Sequence, residues 1–229
     1  MATNIKRKTV IVTGGATGLG YAVAEQFLEQ GDTVVLNGRT ESKLQRAAQQ
    51  LGQSDRVAIV AGDITEPQTA DKIVTEAVNR FGRVDVLVNN AGIFDMKPFT
   101  DYSVEDLDAF LGYLRGTFVT SQAAVRQMRK QGDGGAIINI STILALNGVN
   151  GLPSSAPIAA KGGITALTKN LSVELAADNI RINAVAPGIV PTPLYGELND
   201  DQHKALHKMQ PLGRYGTPKD IADAVLYLA

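Results

Sequence analysis

Short continuous apolar runs alternate along the chain with longer stretches whose apolar positions recur every three or four residues. "TVIVT" (9–13), "TVVLN" (33–37), "RVAIVAG" (56–62), "VDVLVNN" (84–90), "GAIINIS" (135–141) and "NIRINAVAP" (179–187) are rich in β-branched residues. Unbroken runs of this kind predict strands covered on both faces. The amphipathic stretches near 19–30, 40–51, 66–81, 103–131 and 157–177 predict helices, with Gly31 placed for a left-handed turn after the first. Strand followed by helix, repeated, implies right-handed crossovers and hence an α/β chain: a doubly wound parallel sheet in one domain over 1–229. Residues 189–216 break the pattern. They are rich in Pro and Gly around one short polar helix, so an excursion is expected there, of the kind that forms a lid over the carboxyl ends of strands.

Composition narrows the function classes. The 229 residues carry a formal net charge of -1, with both signs interspersed, which gives no electrostatic reason to expect nucleic acid or an acidic membrane as partner. There is no Cys, so thiolate catalysis and Cys-ligated metals are excluded. The apolar run after the basic N-terminal residues is too short for a signal peptide or a membrane span, and a cytoplasmic setting is expected.

The first strand runs into the first helix through Thr13-Gly14-x-x-x-Gly18-x-Gly20. Alone, such glycines can mark a tight turn. At the first strand–helix junction of an alternating chain they predict a dinucleotide cradle of the Rossmann type, where backbone approaches a pyrophosphate and the helix N-terminus supplies N–H donors. The second strand ends in Gly38-Arg39, with no carboxylate to accept from the adenosine ribose hydroxyls. A guanidinium there suits a 2′-phosphate, so NADP(H) is favoured and NAD(H) is the alternative; an arginine merely solvated at a helix start is the bland reading. Asp63 could receive the adenine amino group or cap the helix that follows.

The glycine turn, "NNAG" (89–92), "GAIINIST" and "NAVAPGIVPTPL", in this order and spacing, resemble the short-chain dehydrogenase/reductase family over nearly the whole chain. The resemblance implies that Gly14, Gly18, Leu19 and Gly20 line the pyrophosphate and that Asp63 and Ile64 line the adenine. Asn90, Ala91 and Gly92 would flank the ribose, with Pro187, Gly188, Ile189 and Thr192 at the nicotinamide. It also implies hydride transfer between nicotinamide and a small carbonyl or alcohol substrate. In such enzymes a tyrosine four residues before a lysine moves the proton, a serine binds the carbonyl oxygen and an asparagine supports a water relay.

Here that set is incomplete. Lys161 matches the lysine, but Pro157 stands four residues earlier, and Ile158 would be no better if the turn were one residue shorter. Thr142 aligns with the serine and Tyr113 with the asparagine. Proline suits the first turn of a helix, which Ser154 or Ser155 could cap, yet its ring has no exchangeable hydrogen. Tyr113 is a candidate substitute acid, its phenol expected to be lowered in pKa by the ammonium; ring packing is the bland alternative. Tyr195 on the excursion is a second candidate. Two outcomes are therefore expected: a reductase with weakened or re-routed proton transfer, or an inactive NADP(H)-binding protein or defective variant of an active parent.

His203 and His207 have the i, i+4 spacing of a metal motif but lack its Glu, so no metal is expected. The acidic run 197–201 is expected to cap the helix it precedes. The resemblance further implies a homodimer through the long helices near 103–131 and 157–177. It also implies a seventh strand absent from this sequence. An uncovered sixth strand is the consequence, as in a shortened form or part of a longer chain, and a tetramer is less secure than the dimer.

Overall fold

The structure is a computed structural model that describes residues 7–52, 54–193 and 199–229. Six parallel strands form one sheet: β1 (Thr9–Thr13), β2 (Thr33–Gly38), β3 (Val57–Ala61), β4 (Val86–Asn89), β5 (Gly135–Ile140) and β6 (Ile180–Val185). Their order is β3-β2-β1-β4-β5-β6, so the chain reverses its direction of travel between β1 and β4. Crevices at such reversals, outside the carboxyl ends of the strands, are where this architecture binds ligands. The predicted fold class is correct.

The strands read as apolar runs because helices cover both faces. On one face Val10, Val12, Val34, Leu36, Val86, Val88 and Ile138 pack under α1 (Gly18–Glu29), α2 (Glu41–Leu51) and α7 (Pro218–Leu228). On the other, Ile11, Val35, Leu87 and Ile137 meet α3 (Pro67–Phe81) and α4 (Val104–Gln131), with α5 (Ser155–Glu174) lying beside α4. Neighbours in sequence thus belong to opposite cores, the period of two that a pleated strand imposes.

Local chemistry sets the ends of these helices. Ser103 and Asp106 form a reciprocal capping box at the start of α4, and Gly132 closes it with φ +75°. Gly31 takes φ +90° after α1, as expected. Helix α5 begins at Ser155, two residues before the predicted start, with Pro157 buried in its first turn. Ser154 occupies the N-cap position, yet its hydroxyl donates to Leu152 O at 3.0 Å and caps nothing. The excursion contains α6 (Asp200–Lys208), capped by Asn199 and Gln202 rather than by an acidic side chain. Its far end is tied to its root by Gly216 N–H donating to Ile189 O at 3.0 Å.

A buried polar chain locks the sheet to α4 and α5 beneath the crevice. Asn89 Nδ2 donates to Ser121 Oγ (3.0 Å) and Asn139 Oδ1 (2.9 Å), and Asn139 Nδ2 donates to Thr168 Oγ1 (2.9 Å). Buried polar groups of this kind are costly unless partnered, so the chain fixes one register of strands against helices.

Candidate active site

The glycine turn is built by exclusion of side chains. Gly14 has φ +65°, and a Cβ there would sit 2.9 Å from Ala91 Cα. A Cβ on Gly20 would press into Gly14 O and lie 2.6 Å from Asn90 Nδ2. Gly18 has φ +58° and faces Thr192, whose Cβ would be 3.3 Å from an added Cβ. Only glycine lets the first helix, the turn and the β4 loop meet this closely. The cradle therefore fits a dinucleotide pyrophosphate: its backbone is bare, and it opens at the N-terminus of α1.

Thr13 organises the junction, a role that its residue type alone does not announce. Its Oγ1 accepts from Asn90 N–H (3.0 Å) and Ala91 N–H (3.1 Å), while Asn90 Nδ2 donates to Thr13 O (3.0 Å) and Gly14 O (3.1 Å). The side chain of Asn90 is thus a brace between the two strands at the reversal point. A hydroxyl at the last position of a strand, directly before the glycine turn, is the signal that could have revealed it.

Lys161, from the second turn of α5, reaches back over the sheet. Its Nζ donates to Ile140 O at 2.6 Å and lies 3.5 Å from the Cβ that Gly92 lacks. Burial lowers the ammonium from its ordinary range to about 8. The Lys161 side chain thus crosses from α5 to the end of β5, beside the Asn90–Gly92 loop. The Ile140 carbonyl, being backbone, left no trace in residue type.

The hydroxyls beside it divide their tasks. Ser141 Oγ turns away into α5, with Thr165 Oγ1 at 2.8 Å and Lys161 O at 3.3 Å. Thr142 Oγ1 accepts from Leu144 N–H at 3.3 Å, capping a short 3₁₀ turn over Ile143–Ala145, and keeps its own hydrogen to donate. Ile143 N–H donates to Pro187 O at 3.1 Å, which joins this turn to the segment after β6. Pro187 is buried, and Gly188, Ile189 and Thr192 follow it across the crevice toward Gly18.

At the adenosine end, Asp63 does not cap α3; Glu66 holds that position. Asp63 Oδ1 instead accepts from Thr65 N–H at 2.9 Å within its own turn. Ile64 is a core side chain, 3% exposed, so only its backbone could face a ligand. Arg39 is exposed and has no ion pair among the described residues.

Tyr113 requires a correction. Its phenol was expected to be acidified by the lysine. Burial instead raises its pKa, and the charges acting on it are Arg39, which lowers it, and Asp63, which raises it. Lys161 is not among them. The ring borders the core cluster that contains Ile64 and Ile73. Tyr195 and Glu197 lie outside the described residues. Among the described residues no cluster of three or more metal-ligating side chains exists. His203 and His207 instead group with Tyr215: His203 Nδ1 is 3.1 Å from its hydroxyl, and the His207 ring is 4.0 Å from its ring.

A family profile described as Enoyl-(Acyl carrier protein) reductase matches residues 14–229. The chain belongs to the short-chain dehydrogenase/reductase family. It is 38% identical over 230 residues to the 3alpha-hydroxysteroid dehydrogenase of Mediterraneibacter gnavus, covering 98% of this chain and 90% of that one. It is 34% identical to the 3-oxoacyl-(acyl-carrier-protein) reductase FabG of Thermotoga maritima, covering 98% of this chain and 91% of that one. A short-chain type dehydrogenase/reductase from Mycobacterium marinum superposes with a TM-score of 0.92 at 32% identity, over 97% of this chain and 88% of that one. The 3-ketoacyl-(acyl-carrier-protein) reductase of Brucella melitensis, solved with NADH, superposes with a TM-score of 0.89 at 30% identity, over 96% and 90%. The short-chain dehydrogenase/reductase fold therefore carries a nicotinamide-dinucleotide site here, and no helix among the described residues is long and apolar enough to cross a membrane.

Proposed function

We propose that the chain binds NADP(H) and supports slow hydride transfer between nicotinamide and a carbonyl/secondary-alcohol pair, with its proton relay weakened at one position. One observation carries this reading: the cradle of Gly14, Gly18, Gly20 and Asn90 is complete and Lys161 stands over Gly92, while Pro157 occupies the place of the phenol. Bound nicotinamide supplies or accepts the hydride. The chain's own residues do the rest. Lys161 holds the ribose side of the pocket, and Thr142 offers a hydroxyl hydrogen to the substrate oxygen. Arg39, exposed just after β2 and without an ion pair among the described residues, supports the preference for the 2′-phosphate. General acid assistance is worth roughly 10²–10⁴-fold, so its loss slows the reaction without abolishing it, provided cofactor and carbonyl stay aligned.

The buried pyrrolidine of Pro157 also favours a second reading, an NADP(H)-binding protein with no turnover. Nicotinamide fluorescence on mixing with NADPH reads binding. Absorbance at the nicotinamide band over a panel of ketones then reads turnover. Slow turnover supports the reductase, and binding without turnover supports the second reading. In the first case Pro157→Tyr raises kcat by about 10²-fold or more. An unchanged kcat in that variant would show that the missing phenol is not what limits the rate.

Residues 189–216, of which 194–198 lie outside the described residues, serve in this reading as the substrate lid, since their root crosses from Pro187 to Thr192 beside Gly18. The assembly is a homodimer through α4 and α5, and the setting is the cytoplasm.

A further inference from the structure

Tyr113 stands on α4 between two glycines that pack against the turn after β3. Helix α4 is clamped to the turn after β3 along one edge. A Cβ on Gly112 would lie 3.2 Å from Thr65 Cγ2, and one on Gly116 would lie 2.7 Å from Ile64 O. Arg115 Nη2 donates to Thr65 O at 2.8 Å. Between these contacts sits Tyr113, half-buried against the core of Ile64 and Ile73, in the same cluster that Val60 and Ala91 border. Because Gly112, Arg115 and Gly116 all meet Ile64 or Thr65, this turn of α4 lies just beyond the carboxyl end of β3. The Tyr113 hydroxyl makes no hydrogen bond to the described residues.

Gly38 and Ala61 are paired at the ends of β2 and β3, so Arg39 and Asp63 leave neighbouring strands on the side where Gly112 of α4 meets Thr65. Arg39 follows β2 and is unpaired among the described residues. Asp63 follows β3, and its Oδ1 accepts from the backbone N–H of Thr65. A guanidinium, a carboxylate and an unsatisfied phenol thus converge beyond the ends of β2 and β3. That is the adenosine half of the dinucleotide crevice, opposite in polarity of function from Lys161 and Thr142.

We propose that Tyr113 is a cofactor-contact residue that, with Arg39, recognises the 2′-phosphate of the adenosine ribose. A phenolic O–H donating to a phosphate oxygen is a charge-assisted hydrogen bond, and burial of the ring leaves the hydroxyl few positions to lose on binding. The 2′-hydroxyl of an unphosphorylated dinucleotide lacks that anionic acceptor, so the contact discriminates between the two cofactors. The proposal rests on the dinucleotide-binding reading above.

The test is equilibrium binding by the full chain, wild type against Tyr113→Phe, with NADPH, NADH and the fragments 2′,5′-ADP and 5′-AMP, by calorimetry. The proposal expects Tyr113→Phe to weaken NADPH and 2′,5′-ADP on the order of tenfold while leaving NADH and 5′-AMP within twofold. Equal loss for both pairs, or no loss for either, overturns it. Arg39→Gln serves as the second variant: it should abolish most of the phosphate preference, and adding Tyr113→Phe to it should then cost less than the single change does. Full additivity of the two changes also overturns the proposal. Wild-type protein that binds neither dinucleotide would defeat the underlying reading instead, an outcome distinct from a phenol that proves indifferent.

Discussion

Lys161 shows how one residue couples stability to function. Its folded pKa, lowered by burial to about 8, lies below the ordinary value of 10.5. Below pH 8 both folded and unfolded chains carry the proton, and the full cost of burying the cation is present. Between pH 8 and 10.5 the unfolded chain binds more protons than the folded one, so unfolding free energy rises with pH. Above that window the penalty is gone. Relative to Lys161→Met, which buries no charge, the wild type should therefore gain about 3 kcal/mol as pH rises through this range. Urea unfolding of both proteins at pH 7 and pH 10.5 measures it; a constant difference between them would show that the ammonium keeps its water. The same variant should bind NADPH more weakly, because the cation that would meet the ribose is gone. Cost to the fold and value to the site are two sides of one buried charge.

Elements meet at the reversal point through contacts that leave no room for a side chain. Gly20→Ala would drive a methyl into Gly14 O and to 2.6 Å from Asn90 Nδ2, so α1 must move or the Asn90 brace must break. Overpacking of this kind costs typically 1–3 kcal/mol, and here it also distorts the pyrophosphate cradle. Thermal unfolding should show the lower stability, and NADPH fluorescence the lost binding. An alanine variant with unaltered affinity would mean that the turn is not the cofactor cradle.

The glycines and the six strands were legible in the sequence because each depends on local chemistry: positive φ, bare backbone, or an apolar run covered on both faces. The start of α5 was less so. Pro157 was recognised as a first-turn residue, yet the helix extends back to Ser155, and the Ser154 hydroxyl is spent on Leu152 O instead of a cap. The surroundings of Tyr113 were not legible at all. They depend on how α4 is rotated against the turn after β3, and that rotation is set by Gly112 and Gly116, residues that signal nothing by periodicity. Thr13 and the Ile140 carbonyl were hidden for a related reason: the Asn90 N–H that meets Thr13 lies 77 residues along the chain, and the lysine that meets Ile140 O comes from the next helix, 21 residues on.

At the scale of the whole molecule, α4 and α5 present an apolar surface that the single chain does not cover. Val104, Leu111 and Phe118 recur every seven residues on α4, nearly aligned along the helix, and are 69%, 37% and 44% exposed. Val173 on the neighbouring α5 is 78% exposed. One exposed leucine means little, but a spaced stripe on the longest helix, beside a second exposed aliphatic on its packing partner, is the face expected of an isologous contact. The two helices are held side by side by the Asn89–Asn139–Thr168 chain and by Ser121, so the surface is rigid before any partner arrives. Phe118→Asp should therefore convert a dimer to a monomer with little loss of monomer stability, since the ring is already partly in water. Burying a carboxylate against its own symmetry mate in a dry interface leaves an unpaired charge, which the dimer cannot tolerate. Sedimentation velocity at micromolar concentration distinguishes the two states. A wild type that sediments as a monomer, or a Phe118→Asp protein that remains dimeric, would remove α4 from the interface. Because α4 also carries Tyr113 and flanks the turn holding Asp63, loss of the dimer should weaken NADPH binding in parallel, and fluorescence titration across the same concentrations checks that coupling.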